Sequence, residues 1–167
     1  MRINSTSSGG NFIIEDEHEL ITELKYKNWL SSSAKAFLNE EEVSFLPKNM
    51  LYTKYNIFKN GFEAGELKLK LNGDLIFKLK NKEGVIDTFY MNQEGFWKPH
   101  FLFLNESEEL IFKLRPSTNW KRGQYNYTTD SISQHYQRNQ LHELLLLAGF
   151  GANRNMAMGI YRDFIGV

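Results

Sequence analysis

The sequence predicts an all-β fold with one C-terminal helix: roughly twelve antiparallel strands closed into a barrel, or a strongly curled sheet, around a buried hydrophobic helix. Three observations carry this. Residues 141–152 are apolar on nearly every face, and a helix of that kind has to be enclosed. The preceding sequence is strand-like, with strand starts recurring about every 10–12 residues, the rhythm of a sandwich or barrel. Thirteen Phe and eight Tyr against three Pro also suit a β-rich globule.

Taken in order, residues 1–10 are Ser- and Gly-rich and read as a flexible polar lead-in, with no apolar stretch that would serve as a signal peptide. The domain then runs over 11–167. Its first strands fall at 11–14, 20–29, 35–38, 42–46 and 53–58. Residues 19–30 fit a short helix equally well, because Leu20, Ile21, Leu24 and Trp29 have mixed spacing and Glu23 sits four before Lys27. Asn60-Gly61 marks a turn. Residues 66–71 alternate polar and apolar up to Asn72-Gly73, the strongest short-range hairpin signal, and 75–80 resume the alternation. Further strands follow at 85–91, 97–104, 109–115 and 120–127, separated by turns at 82–84, 92–95 and 105–108. The helix is expected at about 139–152. No fixed-length repeat recurs, so a propeller or solenoid is disfavoured.

A chain of 167 residues is one domain by length and is long enough to bury a proper core. Twenty basic residues balance twenty acidic ones, so no global field draws the protein to nucleic acid, and anion affinity has to come from a local patch. The absence of Cys excludes disulfides, thiolate nucleophiles and Cys-based zinc sites, and fits a cytoplasmic location. Residues 141–161 hold Glu143, Asn153, Arg154 and Asn155, which argues for a buried helix rather than a membrane span.

The segment Tyr55-Asn56-Ile57-Phe58-Lys59-Asn60-Gly61, the run Gly95-Phe96-Trp97-Lys98 and the 120–127 strand, followed by the apolar helix, resemble the tubby C-terminal fold. That group includes phospholipid scramblases and the plant LURP-one-related proteins. The resemblance covers roughly residues 12–162 and implies about twelve strands closed around a hydrophobic helix. Tubby proteins hold phosphoinositides with Lys and Arg on the barrel surface, which implies an anionic lipid as partner. Scramblase-like proteins carry a cysteine-rich acylated stretch that this chain lacks, so lipid scrambling is not implied.

The best candidate anion surface is Lys98, Lys113, Arg115, Lys121 and Arg122, with Trp97 and Trp120 interleaved. Lys113 and Arg115 share one face of a strand whose other face carries Phe112 and Leu114, so an outward basic stripe follows from the pleat. A solvated sheet face has the same pattern. Lys68, Lys70, Lys78 and Lys80 form a second stripe, partly neutralised by Glu66 and Asp74. Signals for catalysis are few. The four histidines, His18, His100, His135 and His142, lack metal-binding spacing, and His135 and His142 on one helix would lie about 10 Å apart. Asp16 and His18 on one strand face make a possible ligand pair, with a solvated acidic turn as the plainer reading. Serines at 5–8 and 31–33 lack a nucleophile elbow and a base. Gly149-Phe150-Gly151 follows an apolar helix where a phosphate loop must precede one, so its role is close packing or a kink, and Met156-Ala157-Met158 is core filler.

These readings lead to a non-enzymatic binding or scaffold module that contacts anionic lipid head groups or a partner protein through a basic surface, with no cofactor and no metal. The alternatives are a carrier holding an apolar ligand inside the barrel, and an enzyme of unrecognised type.

Overall fold

The computed structural model describes residues 1–27, 32–81, 83–95, 100–116 and 126–165. It is a closed antiparallel barrel of twelve strands with one helix, α1 (Arg138–Ile165), as the alternation and the all-round apolar segment predict. The strands are β1 (Arg2–Ser5), β2 (Phe12–Asp16), β3 (Glu19–Tyr26), β4 (Ala34–Leu38), β5 (Glu41–Pro47), β6 (Lys54–Lys59), β7 (Phe62–Leu69), β8 (Leu75–Lys80), β9 (Ile86–Glu94), β10 (His100–Leu104), β11 (Leu110–Pro116) and β12 (Tyr127–Asp130). Each pairs with its sequence neighbours, and β1 pairs with β12 to close the ring. Closure leaves no unpaired sheet edge.

Inward positions alternate as the pleat demands: Phe12 and Ile14, Ala34 and Ala36, Val43 and Phe45, Leu75 and Phe77, Phe101 and Phe103 are all buried. Against them α1 buries Leu141, Leu144 to Leu147, Ala148, Phe150 and Ala152, which lie on all its faces. Phe150 stacks on Phe45 at 4.1 Å between ring centroids and meets the Tyr55 ring edge-on at 5.1 Å. The glycines beside it do the packing expected of them. A Cβ on Gly149 would stand 2.9 Å from Ile3 Cδ1, and one on Gly151 2.8 Å from Leu75 Cδ2.

The structure corrects several expectations. The polar lead-in is in part a strand, because Ile3 on β1 is fully buried against the helix and Arg2–Ser5 fill the gap between β2 and β12. Residues 19–26 are strand rather than helix, with 19–24 pairing to β2 and 24–26 to β4, while 28–30 lie outside the described residues. The helix runs well past residue 152. Asn153 Nδ2 donates to the Gly10 carbonyl at 3.1 Å and Asn155 Nδ2 to the Gly73 carbonyl at 2.6 Å, so polar residues enter the lumen with partners waiting. Residues 92–94, read as a turn, extend β9 and pair with β10. The last described strand is Tyr127–Asp130; of the strand expected at 120–127, residues 120–125 fall outside the described residues, as do 97–99. Asn60-Gly61 and Asn72-Gly73 are turns as expected, with Gly61 and Gly73 at φ +82° and +94°.

Candidate functional site

A meander of antiparallel strands puts alternate connections at opposite ends of the barrel. The helix enters at the end that carries residues 17–18, 39–40, 60–61, 81–85 and 105–109, and leaves at the end that carries 6–11, 48–53 and 70–74. Among the described residues the entry connections hold Glu17, Glu40, Glu83, Glu106, Glu108 and Glu109 and no Lys or Arg. The exit connections hold Lys27, Lys48 and Lys70 against Asp74. Among the described residues, the connections are thus acidic at one end and basic at the other.

At the entry end Asp16, on the inner face of β2, is buried and anchors the helix. His142 Nε2 donates to its Oδ2 at 3.0 Å, and Arg138 Nε donates to the same oxygen at 2.7 Å. Burial alone would raise the Asp16 carboxyl, but the hydrogen bonds from His142 and Arg138 outweigh it and hold the group below its ordinary value. His18 is exposed in the turn at φ +72°, so the Asp16–His18 pair does not form, and no cluster of metal-ligating side chains occurs among the described residues. Beside this anchor a groove of about 510 Å³ is lined by Lys59, Lys80, Glu83, Asp87, Tyr136 and Glu143. Lys59 and Glu143 pair across it at 2.7 Å.

At the exit end three large apolar side chains point into solvent: Met50 is 93% exposed, Leu51 75% and Leu71 89%. Their loops are held firmly. Asn49 Oδ1 accepts from the backbone N–H of Thr53 and of Lys54 at 3.0 and 3.1 Å, while Asn72 and Asp74 brace the second turn through Asn72 Nδ2 to Asp74 Oδ2 at 2.6 Å. The N–H of Leu69 donates to the Thr53 carbonyl at 2.7 Å, which joins the two loops. Lysines stand behind the tips. Lys54 and Lys68 are directly opposite across β6 and β7, both exposed and neither in an ion pair among the described residues, while Lys48 reaches Glu66 only at 3.8 Å. Like charges directly opposite on a sheet repel. Lysines on neighbouring strands under apolar tips attract an anion at that depth.

Of the five cations singled out from the sequence, Lys113 and Arg115 lie on the outward face of β11, as the pleat requires, near its exit end. Arg115 Nε donates to Asp130 Oδ2 on β12, which neutralises it. Lys98, Lys121 and Arg122 lie outside the described residues. Met50, Leu51, Lys54 and Leu71 were not singled out, although a Met-Leu-Tyr run inside a turn is a readable anomaly. No family model, curated protein or solved structure matches the chain. The tubby-like pattern therefore lends no residue-level site, and it is this geometry that bears on function.

Proposed function

We propose that the protein is a non-enzymatic binding module that docks the exit end of its barrel on an anionic lipid surface. The observation that carries this is the pair of braced loops presenting Met50, Leu51 and Leu71 above Lys48, Lys54, Lys68 and Lys70. Because Asn49, Asn72 and Asp74 already order the loops, inserting their tips costs little conformational entropy. Each side chain fully buried in the acyl boundary contributes about 1.5–3 kcal/mol, and each lysine near an anionic leaflet about 1 kcal/mol. Together they suffice for reversible docking.

The test is co-sedimentation with vesicles of phosphatidylcholine alone and of phosphatidylcholine with phosphatidylserine, at low and high salt. Binding to the anionic vesicles that weakens with salt, and that falls more than tenfold in Leu51→Asp and Leu71→Asp, is expected. Equal binding to both vesicle types, or binding indifferent to these substitutions, would falsify the proposal.

The carrier alternative meets a lumen filled by Phe150 and its neighbours. For the enzyme alternative, Asp16 and His142 are the closest thing to an acid–base pair, and their hydrogen bonds to each other and to Arg138 support an anchoring role for them. A protein partner that reads the same exit surface would bind without vesicles.

A further inference from the structure

Between the two asparagines whose Nδ2 groups donate to carbonyls of the exit turns, α1 carries Arg154. It sits differently. Its guanidinium carbon lies 5.8 Å from the centre of the Tyr55 ring, a cation–π distance. Its Nε is buried and has no hydrogen-bond acceptor, and no carboxylate pairs with Arg154 among the described residues. Tyr55 is 1% exposed, and its buried hydroxyl lies against Ser32 and Arg154 without a hydrogen bond of good geometry. Tyr26 is held beside it, its ring 6.1 Å from that of Phe150, and the buried Ser32 faces the Tyr55 hydroxyl.

The inventory is one-sided. Burial pushes the phenols of both Tyr26 and Tyr55 up, against the opposing pull of Arg154, so both remain protonated at neutral pH and able to donate. A permanent cation, two phenols and a serine hydroxyl thus converge, with no carboxylate to balance them. A partly buried cation without a counter-charge, and a buried donor without an acceptor, are each unfavourable until a ligand arrives. A guanidinium flanked by hydroxyls matches the tetrahedral oxygens of a phosphate.

We propose that Arg154, Tyr26, Tyr55 and Ser32 form an oxyanion site, inside the exit end of the barrel, for a phosphate group. It is independent of the docking of the loop tips, since a free phosphate can fill it in solution. The donors lie on β3, β6 and α1 and just ahead of β4, so the bound anion would tie the helix to the wall.

Isothermal titration of the whole chain with inorganic phosphate, at ionic strength held constant with chloride, tests the site. Saturable binding is expected, lost in Arg154→Gln and weakened about tenfold in Tyr55→Phe, which removes one hydrogen bond to a charged group. Lys35→Gln, which removes an exposed cation paired with Glu42, serves as the control and leaves binding unchanged. Far-UV circular dichroism checks that each variant is folded, and if Arg154→Gln is not, the Tyr26→Phe/Tyr55→Phe double variant decides. Competition separates the source of the group. Phosphatidic acid vesicles displacing inorganic phosphate assign a lipid phosphate, and displacement by glycerol 3-phosphate alone assigns a soluble one. Absence of saturable phosphate binding, or its persistence at full strength in folded Arg154→Gln or in the double variant, overturns the proposal.

Discussion

Removing the Phe150 ring tests whether the helix is the structural core of the barrel or a passenger in it. The side chain is fully buried and touches aromatic rings on three strands: Phe45 at 4.1 Å, Tyr55 at 5.1 Å and Tyr26 at 6.1 Å. A Phe→Ala change in such a place loses the transfer free energy of the ring and leaves a cavity, about 3–5 kcal/mol. Each lost aromatic pair contributes about 0.5–1.5 kcal/mol beyond its area, and a cylinder of paired strands cannot collapse easily onto the hole, so the upper part of that range applies. Phe150→Leu keeps the apolar bulk and loses the stacking, which places its cost at about 1–2 kcal/mol. Domains of this kind have about 5–15 kcal/mol in hand, so Phe150→Ala removes a large share. Urea unfolding followed by far-UV circular dichroism measures both. A cost below about 1 kcal/mol for Phe150→Ala, with an unchanged denaturant slope, would refute the filled-barrel account.

A Cβ on Gly65, an inward position of β7, would lie 2.2 Å from the Lys78 carbonyl oxygen on β8, so Gly65→Ala has to displace paired backbone. It is expected to cost more than about 2 kcal/mol in urea unfolding, whereas Gly61→Ala, with open space around it but φ +82°, costs about 1 kcal/mol. Asp16→Asn removes the charged acceptor of His142 and Arg138 and should cost about 1.5–3 kcal/mol at neutral pH. Because the folded Asp16 pKa is depressed below its unfolded value, its contribution is complete above the ordinary carboxylate range and is lost as pH falls through the lower folded value. The wild type should therefore lose more stability than Asp16→Asn on acidification below about pH 4. An identical acid limb in the two proteins would count against the anchor.

The class of fold was legible in local patterns of residues. Period-two alternation in 66–71 and 75–80, pivoting on Asn72-Gly73, prescribes a hairpin, and a helix apolar all round has to be wrapped by something. Both are local patterns, written within one or two elements. What was not legible depends on contacts across the chain. Arg2–Ser5 carry little strand signal and become β1 because β12, over a hundred residues away, leaves a place beside β2. Asn153 and Asn155 read as the end of an apolar helix, yet the helix continues because carbonyls 143 and 82 residues distant receive them. The acidic and basic ends have the same origin. Glu17 and Glu106 are far apart in sequence, and only the alternation of connections in a closed meander gathers them at one end and Lys27, Lys48 and Lys70 at the other. The anion surface drawn from residue types alone was likewise incomplete, because Arg115 meets Asp130 across β11 and β12, a pairing that only the register between those strands decides.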